Sequence, residues 1–372
     1  MNIPVPLSDP MPLPAPVWLL RTLLLLTFFL HVVFMNCLFG GAVVAFACAL
    51  RRGRSAFSAR FAGDLARLLP IIFAFTITLG IAPLLFLQVI YGQFLYSSSI
   101  LIGVPWLAII GMVLLAYYGV YFFSMRNSAQ KGGTTAVLGL VVLLLAAVAF
   151  VYSNNFTLML TPERWLNLYY VHAGGWNLNW TEHTLVSRYL HLVLGALAVS
   201  GLGLVVMGMR QQEGEYRQWL IERGFLAFAG ATLLNFGVGF WFLAKLPDSA
   251  RLAFLGGNGL ATALLAVGLI LPLAGVAHFI LAKGSKSPKR QLAIGVSCGL
   301  LTVAVMVVMR DVLRNAALAP YFSLNRLPIA PQWSIIALFV SLFAAGLATL
   351  YYMLRKVAIA TRLRVAAAQT PR

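Results

Sequence analysis

The chain has 372 residues, of which 61% are hydrophobic and only 10% charged, and its mean hydropathy is +0.90. A soluble protein of this length could not cover so much apolar surface with polar groups, and the apolar runs do not alternate as the strands of a membrane β-barrel would. The formal net charge of +18 does not make a nucleic-acid face, because the basic residues fall in short loops between apolar runs, where the positive-inside rule places them.

In chain order, residues 1–16 are proline-rich and lack a basic leader region, so the first apolar run is expected to remain as a helix rather than to be cleaved. Nine membrane spans are predicted, at about 17–50, 68–95, 101–125, 134–153, 186–209, 224–244, 252–282, 291–310 and 333–354. Lipid offers no partner for an open sheet edge, so the expected fold class is all-α, a polytopic transmembrane helical bundle. With the N-terminus outside and the C-terminus inside, the inner segments 51–67, 126–133, 209–223, 283–290 and 355–372 hold 19 of the 27 Lys and Arg residues, and that asymmetry sets the orientation. The expected organisation is an outer segment 1–16, four helices over 17–153, an outer loop 154–185, five helices over 186–354 and a basic inner tail 355–372.

Two outer segments are longer than a connection needs, 154–185 and 311–332, and both are rich in Trp, Tyr, Asn and Pro. Aromatic anchoring at the interface and a lid or docking surface for a soluble partner are both open readings. Cys37, Cys48 and Cys298 lie inside apolar runs without metal or c-type heme spacing, and read as small buried hydrophobes.

The nine acidic residues, Asp9, Asp64, Glu163, Glu182, Glu213, Glu215, Glu222, Asp248 and Asp311, all read as lying outside the membrane interior, with Asp311 at a helix end. Proton pumps, cation-coupled transporters and oxygen reductases generally need an intramembrane carboxylate, so these classes are disfavoured. Histidine remains. His31 lies ten residues past Arg21, roughly 15 Å along the first helix, and His191 lies near the outer end of the fifth. An imidazole in hydrocarbon needs a partner, either a carbonyl on a neighbouring helix or an iron, and it is a common axial ligand of b-type heme. His278 can reach the inner interface beside Lys283, while His172 and His183 read as solvated loop residues. Met306 and Met309, at the outer end of the eighth helix, are further candidate axial ligands, with core packing as the ordinary alternative. Arg164 and Arg188, at the outer interface, could pair with heme propionates.

Two stretches resemble subunit I of the cytochrome bd quinol oxidases. One is "LHVVFMNCLFGGAVVAFACAL", with His31 followed by Phe34 and Gly40; the other is "SRYLHLVLGALAVSGLGLVVMGMR", which contains His191. Between them, "LGIAPLLFLQVIYGQFLYSSSILIGVPWLAIIG" is similar in layout to the family's second and third helices, and the resemblance covers roughly residues 18–250. It implies heme ligation by His31 and His191, one or two b hemes near the outer face, a quinol substrate, and residence in a bacterial cytoplasmic membrane. The chain departs from the family pattern in several places. Gln88, Ile110 and Tyr118 stand where acids are expected, only "AKLPDSARL" stands where the family has its long quinol-binding loop, and the methionine ligand has no clear match. Asp311 and Arg314 could match an acid and an arginine of the family's eighth helix.

These departures weaken oxygen reduction and leave the scaffold with its two histidines. The expected function is therefore a heme b membrane subunit that passes electrons between the quinol pool and a periplasmic redox partner such as a c-type cytochrome. The alternatives are a heme-free scaffold docking soluble subunits, a diverged terminal oxidase, and a small-molecule transporter, for which no inverted repeat is visible.

Overall fold

The structure is a computed structural model that describes residues 5–6, 11–127, 133–212, 214–324 and 327–367. Asp9, Glu213, most of the proline-rich start and the last five residues of the basic tail lie outside the described residues. Among the described residues the chain is helical: α1 (Val17–Leu50), α2 (Ala56–Leu101), α3 (Gly103–Asn127), α4 (Thr134–Met159), α5 (Trp165–Val171), α6 (Leu185–Arg210), α7 (Glu215–Lys245), α8 (Asp248–Leu252), α9 (Gly259–Leu281), α10 (Pro288–Leu318) and α11 (Trp333–Ala367). Nine of these, all but α5 and α8, are long and apolar enough to cross a membrane. The molecule is a polytopic helical bundle.

The chain divides into two compact units. The larger takes in residues 21–323, and the smaller takes in residues 10–20 and 324–372. In the smaller unit a short parallel bridge joins Leu13 to Ile329, with Leu13 N–H donating to Pro328 O at 2.7 Å and Ala330 N–H to Leu13 O at 3.0 Å. Helix α11 continues from its apolar span into the segment expected as a free tail, as far as Ala367.

Within the larger unit, the extensively packed neighbours are α6 with α7, α9 with α10, α3 with α4, and α2 with α3. Between hydrocarbon-bathed helices the hydrophobic drive is weak, so close backbone approach does much of the holding. The α6–α7 pair meets at Gly201 and Gly224, where a Cβ on Gly201 would stand 2.6 Å from Phe228 N and 2.7 Å from Gly224 O. Helices α1 and α6 cross at Gly40, against Ala196 and Ser200, and Ser200 Oγ donates to Asn36 O at 3.2 Å.

Several helices run past their expected limits: α4 continues to Met159, α7 starts at Glu215, α11 reaches Ala367, and α2 and α10 are extended as well. Helix α2 begins at Ala56 because Ser55 caps it, its hydroxyl accepting from Ser58 N–H at 3.2 Å, and it bends at Tyr91, whose φ/ψ of −128°/30° leaves the helical region. Its arginines sit on turns that extend beyond the apolar span, so charge did not mark its start. Helix α10 runs on to Leu318 rather than stopping near residue 310. Asp311 is therefore not at the helix end; it is 2% exposed inside the bundle. The helix tolerates Arg310, Asp311 and Arg314 there because the charges find partners on neighbouring helices.

Candidate functional site

The outer end of the bundle, as the Lys/Arg asymmetry orients it, carries a polar layer in an otherwise apolar interior. Asp311 of α10 accepts from Arg21 Nη2 of α1 at 2.5 Å, from Arg314 Nη2 one turn on, and from Asn315 Nδ2 at 3.2 Å. Tyr91, at the bend of α2, donates its hydroxyl to Asn315 Oδ1 at 2.5 Å, and the Arg314 guanidinium lies 4.3 Å from the Tyr91 ring centre. One buried acid thus ties α1, α2 and α10 together.

Two further guanidiniums flank this layer without an ion-pair partner among the described residues. Arg310 lies between the rings of Phe28 on α1 and Phe156 on α4, at 4.4 and 4.1 Å from their centres. Arg188 of α6 lies 5.0 Å from the Phe242 ring of α7, and its Nε is shut from solvent with no hydrogen-bond partner. Arg188, Arg310 and Arg314 line one crevice with Phe156, Met159 and Leu160 from the outer end of α4.

The two candidate ligand histidines lie in this outer half. His31 places Nδ1 3.0 Å from the Thr76 carbonyl of α2. Since a carbonyl only accepts, Nδ1 carries the proton and Nε2 is left as a free lone pair. Its ring fills space that only a glycine leaves open, because a Cβ on Gly80 would stand 2.9 Å from His31 Cε1. His191 lies beside Gly239 of α7, 3.5 Å from where a Cβ would be, and its Nδ1 is buried with no hydrogen-bond partner. Measured from the α1–α6 crossing at Gly40, Ala196 and Ser200, His31 lies nine residues toward the outer end and His191 five to nine, so both stand at comparable depth, roughly 8–13 Å above that crossing.

The remaining expected site residues resolve differently. Met306 Cε and Met309 Sδ would stand 3.0 and 3.4 Å from a Cβ on Gly268 of α9, and Met309 packs on a cluster with Leu246, Phe254, Ala261 and Leu313. Both methionines therefore fill the α9–α10 seam. Arg164 is paired with Glu182 at 3.4 Å and with the Thr181 hydroxyl. His278 meets Gln291 Oε1 of α10 at 2.6 Å rather than reaching past Lys283, whose ammonium lies over the Phe225 ring. His172 and His183 are exposed. Phe34 packs on Phe75 of α2, with ring centres 5.4 Å apart. Ile110 and Tyr118, which stand where the resembled family has acids, are 62% and 69% exposed and point away from the bundle. No group of three or more His, Cys, Asp or Glu side chains suited to a bare metal ion occurs among the described residues.

The outer loop 160–184 is strapped down. Asn179 N–H donates to Asn154 Oδ1 at 3.1 Å, Trp165 Nε1 to Leu158 O at 2.8 Å, and Asn177 Nδ2 to Leu101 O at 3.1 Å. Tyr321, just past α10, donates its hydroxyl to Glu163 Oε2 at 2.9 Å. Burial and that carboxylate push the Tyr321 phenol up to about 12. Trp176, Tyr169 and Tyr170 stay exposed on this cap.

Comparison with protein-family models, and with curated protein sequences, finds no match. The likeness to cytochrome bd subunit I therefore rests on the residues quoted above.

Proposed function

We propose that this protein is a heme b membrane subunit that passes electrons between quinol and a redox partner on the outer side. The observation that carries the reading is the pair of histidines at one depth, each packed beside a glycine, with His31 Nε2 left without a protein partner and His191 Nδ1 making no hydrogen bond of good geometry, although the Asn235 backbone of α7 lies within interacting range of that ring. A buried imidazole that only braced two helices would use its polar atoms on them, as His278 does with Gln291. His31 and His191 instead keep a nitrogen in reserve.

Heme suits these residues. His31 would bind iron through Nε2 while Thr76 fixes the ring and its tautomer through Nδ1, the arrangement that orients ligating histidines in general. His191 offers its unpaired Nδ1 on a second helix. The rings of Phe28 and Phe34 give the apolar wall that a macrocycle needs. When bound, the group supplies one-electron chemistry, and the chain sets its potential through ligand identity, burial and nearby positive charge. Arg188 and Arg310 place that charge at the outer end, where it favours the reduced state.

Substitution tests the assignment. His31→Ala and His191→Ala are each expected to lower heme per chain or shift its spectrum, while His278→Ala leaves both unchanged. Unaltered heme content and spectrum in both of the first two variants would remove them from the site.

A further inference from the structure

The charge balance of the outer polar layer is not closed by the protein. Within the spanning helices, Arg21, Arg188, Arg310 and Arg314 have one acid among them, Asp311, which already holds Arg21 and Arg314; Glu182 of the outer loop also attracts Arg188 but is itself paired with Arg164. Arg188 and Arg310 are left over, on α6 and α10, facing the same crevice as Arg314. Aromatic faces cover part of each guanidinium, but a ring only attracts a cation and accepts no hydrogen bonds comparable to those of an oxyanion. The Nε atoms of Arg188 and Arg314 are both sealed from solvent without a partner. Guanidiniums gathered in a low-dielectric wall repel one another, and the cost falls when an anion enters between them.

We propose that this crevice is an oxyanion site that takes the phosphate or carboxylate head of an anionic amphiphile whose apolar body lies along the bundle. The lining divides accordingly. Arg188, Arg310 and Arg314 supply donors suited to a head group with at least two oxygens, and Phe156, Met159 and Leu160 supply the apolar wall at the mouth. The forked geometry of arginine favours planar or tetrahedral oxyanions over halide. The site stands at the outer ends of α4 and α10, so a phospholipid of the outer leaflet could present its phosphate to it. The carboxylates of an apolar prosthetic group reach it from within. The chemistry is shared and the inference does not depend on heme being present.

The wild-type chain purified in neutral detergent allows both sources to be tested. Its melting midpoint is measured with added phosphatidylglycerol and with added phosphatidylcholine, and uptake by heme-stripped chain is compared for protoheme and for its dimethyl ester, which lacks both carboxylates. A rise in midpoint with phosphatidylglycerol alone assigns the site to a lipid phosphate. A preference of tenfold or more for protoheme over the ester assigns it to carboxylates. Arg188→Gln and Arg310→Gln, where they fold, are expected to abolish whichever preference the wild type shows. Equal behaviour of the wild type toward both lipids, with no preference between the two hemes or with neither heme taken up, would overturn the proposal. So would a preference that persists in both folded variants.

Discussion

Replacing Asp311 by Asn should destabilise the bundle more than any other single exposed-to-buried charge change at its outer end. The carboxylate is 2% exposed and accepts from Arg21, Arg314 and Asn315. Arg21 is 38% exposed, so its share is screened and amounts to about 1 kcal/mol or less. Arg314 is only 12% exposed, and a buried hydrogen bond to a charged group contributes about 1.5–3 kcal/mol. Removing the charge also leaves Arg314 beside Arg310 and Arg188 with no counter-charge, the situation in which broken buried pairs cost about 3–5 kcal/mol. Asparagine keeps the shape and still accepts one bond, so the expected loss is about 3 kcal/mol. Arg21→Gln, on the screened side, should cost about 1 kcal/mol. The assay is unfolding of the purified chain in mixed micelles by increasing SDS, followed by far-ultraviolet circular dichroism. A loss below about 1 kcal/mol for Asp311→Asn would mean that the arginines find other partners in the unfolded bilayer state, as neutral membrane hydrogen bonds commonly do. Equal losses for both variants would refute the division between screened and buried halves.

Three other outcomes follow from the same geometry. Gly201→Val should lower stability by about 2–3 kcal/mol, since its Cβ meets backbone of α7 that cannot move aside, whereas Gly203→Val, with open space around it, should stay within about 0.5 kcal/mol; SDS unfolding compares them. Gly80→Leu, which drives a side chain into the His31 ring, should shift or abolish heme absorption without changing helix content, and an unshifted spectrum would separate His31 from any iron. The Tyr321 phenol is raised in the folded chain, so its bond to Glu163 stabilises the cap fully below the ordinary tyrosine range near pH 10 and is lost as pH rises through about 12. Limited proteolysis of the 160–184 loop should therefore accelerate over that window in the wild type, and the step should be absent in Tyr321→Phe.

The spans were legible because a 20-residue apolar run has few alternatives in water or lipid. Their ends were less so, and charge misled at several of them, including the start of α7, which takes in Glu215, Glu222 and Arg223. Arginines at 60 and 67 read as loop yet sit on the capped first turns of α2, and Arg310 with Asp311 read as a terminus yet lies inside α10. For α10 the sequence shows the cost of a buried acid but not the partner that offsets it from another helix, because Arg21 is 290 residues from Asp311; for α2 the arginines lie on turns exposed beyond the apolar span, and Arg67 pairs locally with Asp64. The histidines were found from polarity against an apolar background. Arg310 was not singled out, and its signal was available: a basic residue on the outer side, against the positive-inside trend, next to an acid. For Met306 and Met309 ligation and packing were both open; the structure shows them packed against the Gly268 side of α9, and Gly268 has no sequence mark.

The most direct test of the heme reading is a dithionite-reduced minus oxidised difference spectrum of the detergent-purified chain expressed under heme-replete conditions. A b-type α band with its Soret partner is expected, with loss or shift of the signal in His31→Ala and His191→Ala. A folded, monodisperse chain with no heme absorption would contradict the redox function and leave the membrane-scaffold and transporter readings.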